Sequence, residues 1–386
     1  MKYDFDTVVD RRNSDSIKWH CENNELPMWV ADMDFKTAPE IIDAFQKRIE
    51  HGVFGYSDYS KPWFDAYINW WDKRHGIRYS EEELIFSTGV VPSLSSIVRK
   101  LTTPNENVVI MTPVYNVFFN SILNNGARAL EVPLIYKDYS YSIDWDLLEE
   151  SLKNPQTSLM IMCNPQNPAG KIWDNETLAR IGKLAFDNGV IVVSDEIHCD
   201  LTLPGHMYVP FASASEECRM NSITLVAPTK TFNLAGLQSS CAIVPNPRIR
   251  HKVWRALNTD EVAEPNSFAL IAAITAFNEG GDWLDELREY ISTNRDYVIK
   301  RLGEEAPEVK VVSENATYLL WIDISKVSMD SEDFAHKLRE TTGLWISDGV
   351  HYGKAGEGFV RMNIACPKVT LEDGVNRLIA GIKNYK

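Results

Sequence analysis

The sequence predicts an α/β protein: a large mostly parallel, seven-stranded-type sheet covered by helices, with a smaller α/β unit formed by the two chain ends. Three observations predict it. Short, almost wholly apolar runs recur through the middle of the chain, at 107–113, 158–163, 190–194, 222–227 and 238–244. Strands apolar at nearly every position are buried on both faces, as those of parallel sheets are. Stretches with helical spacing lie before and between them, at 93–100, 114–125 and 176–188, the last two stopped by Gly126 and Gly189. Finally, 386 residues with 44% hydrophobic content exceed one small core and suggest two domains.

Taken in order, residues 1–45 are expected to pack with the small unit. Residues 46–280 form the large domain and 281–386 the small C-terminal one. The second boundary follows a change of character after about Phe277. A long charged helix is predicted over 283–302, strands over 310–312 and 318–323, and a helix over 331–341.

The net charge of −15 argues against nonspecific binding to nucleic acid or to an anionic membrane surface, and no basic run offsets it. No 18-residue apolar window and no signal-peptide pattern is seen, so a cytoplasmic protein is expected. The six cysteines are scattered, without a C-x-x-C pair or zinc spacing. Free thiols and no bound metal are expected.

Ligands of such sheets bind beyond the carboxyl ends of the strands, and polar residues collect there. Gly89 and Val90 stand at a glycine turn into a helix, whose free N–H groups suit a phosphate. An ordinary helix start would look the same. Tyr115 follows the next strand and can stack on a flat heterocycle or simply fill the core. Asn167 lies in a turn with two Asn-Pro pairs and Gly170. Asp195 ends a buried strand, where an acid needs a cation or a capping role. Its neighbour Glu196 should face the other way, to solvent or to the domain interface.

Lys230 is the most informative residue. It follows an apolar run and is flanked by Thr229, Thr231 and Asn233. Desolvating an ammonium is costly unless its pKa falls or it reacts. A lysine so placed suits a Schiff base with a carbonyl. Pyridoxal 5'-phosphate uses a lysine in this way, with an acid at its ring nitrogen.

With these parts in order, the chain resembles the fold-type I pyridoxal-phosphate enzymes of the class I/II aminotransferase superfamily. It is most similar to the MalY/PatB-type cystathionine β-lyase (C–S lyase) branch. The segments carrying the likeness are Pro27–Phe35, Phe54–Ser57, Ser194–His198, Ala227–Asn233 and Gly349–Pro367. The resemblance implies that Lys230 bears the cofactor and moves the proton, and that Asp195 pairs with the pyridinium. It implies that Asn167 bonds the 3′-oxygen, Tyr115 stacks on the ring, and Gly89, Val90 and Thr229 hold the phosphate. Tyr56 would reach the partner's site in a homodimer. Arg361 would grip the substrate carboxylate, with Val30 and Ala31 at the mouth.

His198 stands where many aminotransferases have a tyrosine, adjoining the ring. Ala227 and Gln238 replace a usual phosphate-binding serine and arginine. These departures favour α,β-elimination on a sulfur-containing amino acid over transamination. An aminotransferase acting on histidinol phosphate or aromatic amino acids, and a non-enzymatic cofactor-bearing regulator, are the alternatives.

Overall fold

The computed structural model describes residues 2–312 and 314–385. Its centre is a seven-stranded sheet made of β2 (Leu84–Ser87), β3 (Asn107–Thr112), β4 (Arg128–Pro133), β7 (Thr157–Cys163), β8 (Ile191–Asp195), β9 (Ser222–Val226) and β10 (Ser240–Ile243). The spatial order is β2-β10-β9-β8-β7-β3-β4. The pairs β3–β4, β3–β7, β7–β8 and β8–β9 are parallel, whereas β10 runs antiparallel to both β9 and β2. Positions in β3, β7, β8 and β9 are almost all buried. Their continuous apolar reading therefore reflects helices on both faces.

A second sheet, all antiparallel, joins β11 (Lys310–Val311), β12 (Leu319–Asp323), β15 (Phe359–Asn363) and β14 (Ser347–Asp348) in that order. The short β1 (Leu26–Pro27) pairs in parallel with β13 (Leu344–Trp345), which ties the N-terminal segment to the C-terminal part of the chain. A two-stranded hairpin, β5 (Ile135–Lys137) with β6 (Ser140–Ser142), completes the strands. The long helix spans Gly281–Glu305.

Three differences from the sequence reading have physical causes. The helix expected from Val114 begins only at Val117, because Val114 N–H bonds the Tyr352 carbonyl instead of starting a helical turn. The edge strand β4 was not anticipated, since its side chains are mostly exposed and its sequence is not a continuous apolar run. Glu196 does not reach solvent. It is fully buried and accepts from Ser194 Oγ at 2.8 Å, from Phe211 N–H at 2.9 Å and from the Tyr208 hydroxyl. Alternation along the strand turned it away from Asp195 as expected, but the far side of the sheet is covered by the segment carrying Tyr208 and Phe211.

Candidate active site

The carboxyl ends of β2, β3, β7, β8 and β9 open on one edge of the sheet, and a cavity of about 290 Å³ lies there. Gly89, Val90, Tyr115, Asn167, Asp195, His198, Lys230 and Ala31 all line it, with Gln238 and Cys163. They come from several different loops, and the strand pairing brings these loops to the same edge.

Lys230 stands four residues past the end of β9, on the helical turn Pro228–Thr231. The next residue anchors this turn: Thr231 Oγ1 donates to Asp200 Oδ2 at 3.0 Å. Asp200 Oδ1 is held in turn by Trp70 Nε1 at 3.0 Å and His75 Nε2 at 2.9 Å. The Lys230 ammonium donates to the Ala31 carbonyl. Burial lowers its pKa to about 8; Asp32 and Asp195 hold it up, and Arg361 pushes it down. A deprotonated, nucleophilic amine is thus within reach near neutral pH.

Asp195 closes β8. Burial pushes its carboxyl up to about 7, opposed by a bond from Ile197 N–H at 3.1 Å and by the charge of Lys230. His198 lies on the same loop. Burial pulls its imidazole down to about 3, with Lys230 and Arg361 adding to the effect, so the ring is neutral. Its Nδ1 is buried with no partner among the described residues. Both groups present unmet hydrogen-bonding capacity to the cavity, which a ligand can satisfy.

Asn167 is placed by a turn that Gln166 fastens. The Gln166 side chain donates to Pro113 O beyond β3 and accepts from Ala169 N–H at 2.9 Å. Gly170 has φ +80°, and a Cβ there would come within 2.5 Å of the Ala316 carbonyl oxygen. Only glycine fits that close approach. Arg361 Nη1 donates to Asn167 Oδ1 at 3.1 Å, so Asn167 can turn its NH₂ to the cavity. At the other end, Gly89 is the N-cap of helix Val90–Leu101 and offers no side-chain cap. The first amides of that helix are free for an anion.

The remaining predicted residues lie further out. Thr229 is buried beside Lys230 but does not line the cavity. Val30 does not line the cavity; its carbonyl accepts from Asn363 Nδ2 at 2.6 Å. Arg361 borders the cavity through Asn167 and also donates to Trp29 O at 2.7 Å. Tyr56 is wholly exposed and outside the cavity.

The wall opposite the sheet edge is the strap 28–35; the sequence reading had it only as part of Pro27–Phe35, with Val30 and Ala31 at the mouth, and missed its role as a scaffold. Met28 O accepts from Asn363 N–H at 2.8 Å, and Trp29 O from Arg361. Val30 O and Asp32 O both accept from Asn363 Nδ2 at 2.6 Å. Ala31 O accepts from Lys230 and from the Tyr318 hydroxyl at 3.1 Å, and Met33 O from Asn233 Nδ2 at 3.0 Å. Six consecutive carbonyls are thus held from outside the strap, five of them by side chains. The one visible signal was a pair of acids, Asp32 and Asp34, in an otherwise apolar stretch.

A family model described as aminotransferase class I and II matches residues 25–378. The chain is 40% identical to the cystathionine β-lyase PatB of Bacillus subtilis, covering 98% of this chain and 99% of that one. It is 33% identical to protein MalY of Escherichia coli, over 99% of each. Cystalysin from Treponema denticola, whose structure contains pyridoxal 5'-phosphate, superposes with a TM-score of 0.97 at 32% identity over 100% of both chains. The pyridoxal-phosphate-bound C–S lyase from Staphylococcus hominis gives 0.93 at 30% identity, over 99% of each chain.

Proposed function

Because the chain belongs to the class I and II aminotransferase family, we propose that the cavity beneath Lys230 is the active site of a pyridoxal-phosphate-dependent carbon–sulfur β-lyase. The observation that carries this reading is the convergence of Lys230, Asp195, Asn167, Tyr115, His198 and a helix N-terminus on one cavity. The cavity's unmet groups fit the cofactor. The buried Asp195 carboxyl suits a protonated ring nitrogen, the Asn167 NH₂ and His198 suit the 3′-oxygen, and the amides after Gly89 suit the phosphate. Thr229 supports the phosphate end from behind. Bound there, pyridoxal 5'-phosphate supplies an electron sink for the pair left when the substrate Cα loses its proton.

The chain's own residues do the rest. Arg361, a planar fork already aimed by Asn167 and Trp29 O, exchanges these partners for the substrate carboxylate. Val30 and Ala31 border the mouth. Lys230, with its lowered pKa, is the base that takes the Cα proton. The Cβ–S bond then breaks with its electron pair on sulfur. The enamine released takes up water, giving pyruvate and ammonia, while the thiol departs. One amino acid and one water thus balance one thiol, one pyruvate and one ammonium.

The reading includes a homodimer. Tyr56 is fully exposed next to the exposed Phe54 and Val53, which suits a residue that completes a partner's site. It also includes the division at 45 and 280 and a cytoplasmic setting; no described helix is long and apolar enough to cross a membrane. Incubation of the purified protein with L-cystathionine should release pyruvate and thiol in equal amounts. Amine transfer to a keto acid without thiol release would replace the lyase reading with transamination.

A further inference from the structure

Four charged side chains that the site does not otherwise use converge on the strap 28–35. Arg11 Nη2 lies 2.7 Å from Asp32 Oδ2, and its Nη1 lies 2.8 Å from Asp34 Oδ1. Lys18 Nζ lies 2.7 Å from Asp34 Oδ2 and 3.6 Å from Asp32 Oδ1. Trp19 Nε1 adds a bond to Asp34 Oδ1 at 2.8 Å. The two cations also reach the backbone: Arg11 donates to Met33 O at 3.1 Å and Lys18 to Asp32 O at 3.4 Å. Lys18 is 1% exposed on its side chain and Asp34 6%.

A buried ion quartet is a poor source of stability, because desolvation offsets most of the attraction. Its geometry explains it better. Asp32 immediately follows Ala31, whose carbonyl holds Lys230, and the strap has no ladder on this stretch to fix it. We propose that the Arg11–Lys18–Asp32–Asp34 quartet is a positioning device for Lys230, holding the strap so that the Ala31 carbonyl and the Asp32 charge both meet the amine. Lys18 and Asp32 are its positioning residues. This rests on the reading of Lys230 as the cofactor-bearing lysine. The electrostatics agree: of the charges that favour protonated Lys230, Asp32 on the strap precedes Asp195 on β8. The other charged or titratable groups at the amine are Arg361 from β15, His198, Tyr115 and Tyr318.

The quartet is electrically neutral, so single substitutions give opposite signs. Lys18→Met leaves a net negative charge beside the lysine nitrogen, and Asp32→Asn leaves a net positive one. In the holoenzyme, the lysine-linked absorbance at about 420 nm should titrate with pH. Its midpoint should rise in Lys18→Met and fall in Asp32→Asn, each by on the order of half a pH unit. Both variants should lower kcat by roughly tenfold while KM for L-cystathionine changes less, since the amine and not the carboxylate grip is displaced. Lys183→Met cuts the exposed Lys183–Asp187 pair at 2.8 Å, on the helix Asn175–Asp187 and apart from the strap, and should move neither readout. Midpoints unmoved, or moved in the same direction, in the two variants overturn the proposal. Asp32→Asn, which keeps an oxygen for Arg11, decides the matter alone if Lys18→Met yields no soluble protein. Absence of any lysine-linked band in the unsubstituted protein would instead overturn the reading of Lys230 itself.

Discussion

The two walls of the cavity are built on opposite principles. The sheet-edge wall presents groups with unmet bonding capacity: a buried Asp195 carboxyl with one backbone donor, a neutral His198 with an orphan Nδ1, and a bare helix N-terminus. The strap wall is saturated, with six consecutive carbonyls held from outside. Unmet polar groups cost stability and are kept where a ligand will meet them, whereas saturated ones hold geometry. Damage to the first wall should therefore remove chemistry and spare or raise stability. Damage to the second should remove stability first.

The largest effect tests the chemical wall. On the proposed reading, Lys230→Ala removes the nucleophile and the base together. The turnover of L-cystathionine should fall by at least ~10⁴-fold. The variant should unfold at no lower temperature than the unsubstituted apoprotein, because the lost ammonium is a buried charge with a depressed pKa. A large drop in the melting temperature would show that Lys230 belongs to the scaffold and blur the division between the walls.

The next effect tests the saturated wall. Asn363 is buried; its Nδ2 bonds Val30 O and Asp32 O, and its Oδ1 accepts from Ala365 N–H at 2.8 Å. Asn363→Ala leaves all three backbone groups short of a partner. Stability should drop by ~2–3 kcal/mol, with and without cofactor alike. Guanidinium unfolding followed by tryptophan fluorescence measures it. An unchanged midpoint would mean that the strap is held by fewer of its bonds than the geometry shows.

The same division governs what was legible in the sequence. Asp195, Asn167, Tyr115 and Lys230 each close or follow an apolar run that reads as a buried strand, and Gly89 stands at a glycine turn into a helix, so these residues locate the sheet-edge wall. Parallel topology then assembles them without further information. The strap has no periodicity, and many of the partners of its carbonyls lie about 200 to 330 residues away, as with Asn233 and Asn363. No local pattern announces such pairs. Asn233 also adopts φ +57°, which a non-glycine residue reveals only in the structure. Glu196 marks the limit of alternation: period two gives the side of a sheet, not whether that side is covered.

The smallest effect concerns Asp195 in the absence of cofactor, and its sign is the sharpest test of the comparison. Burial raises this carboxyl from an ordinary 3.8 to about 7. A group whose folded pKa is raised favours the folded state fully below its unfolded pKa. That advantage is lost as pH climbs through the folded value. The apoprotein should therefore lose stability between about pH 4 and 7 on account of Asp195. Asn cannot ionise, so apo Asp195→Asn should equal the unsubstituted apoprotein near pH 4 and exceed it above pH 7. Glu196, also raised to about 7 by burial, stays in both proteins and leaves the variant a residual slope of the same sign. If Asp195 meets the ring nitrogen as proposed, bound pyridoxal 5'-phosphate would keep it ionised and paired, and the advantage of Asn should reverse. Thermal unfolding of both proteins at pH 5 and pH 8, with and without cofactor, gives the eight values required. A variant less stable than the apoprotein at pH 8 would mean that Asp195 is already satisfied within the chain, and that the sheet-edge wall is scaffold as well.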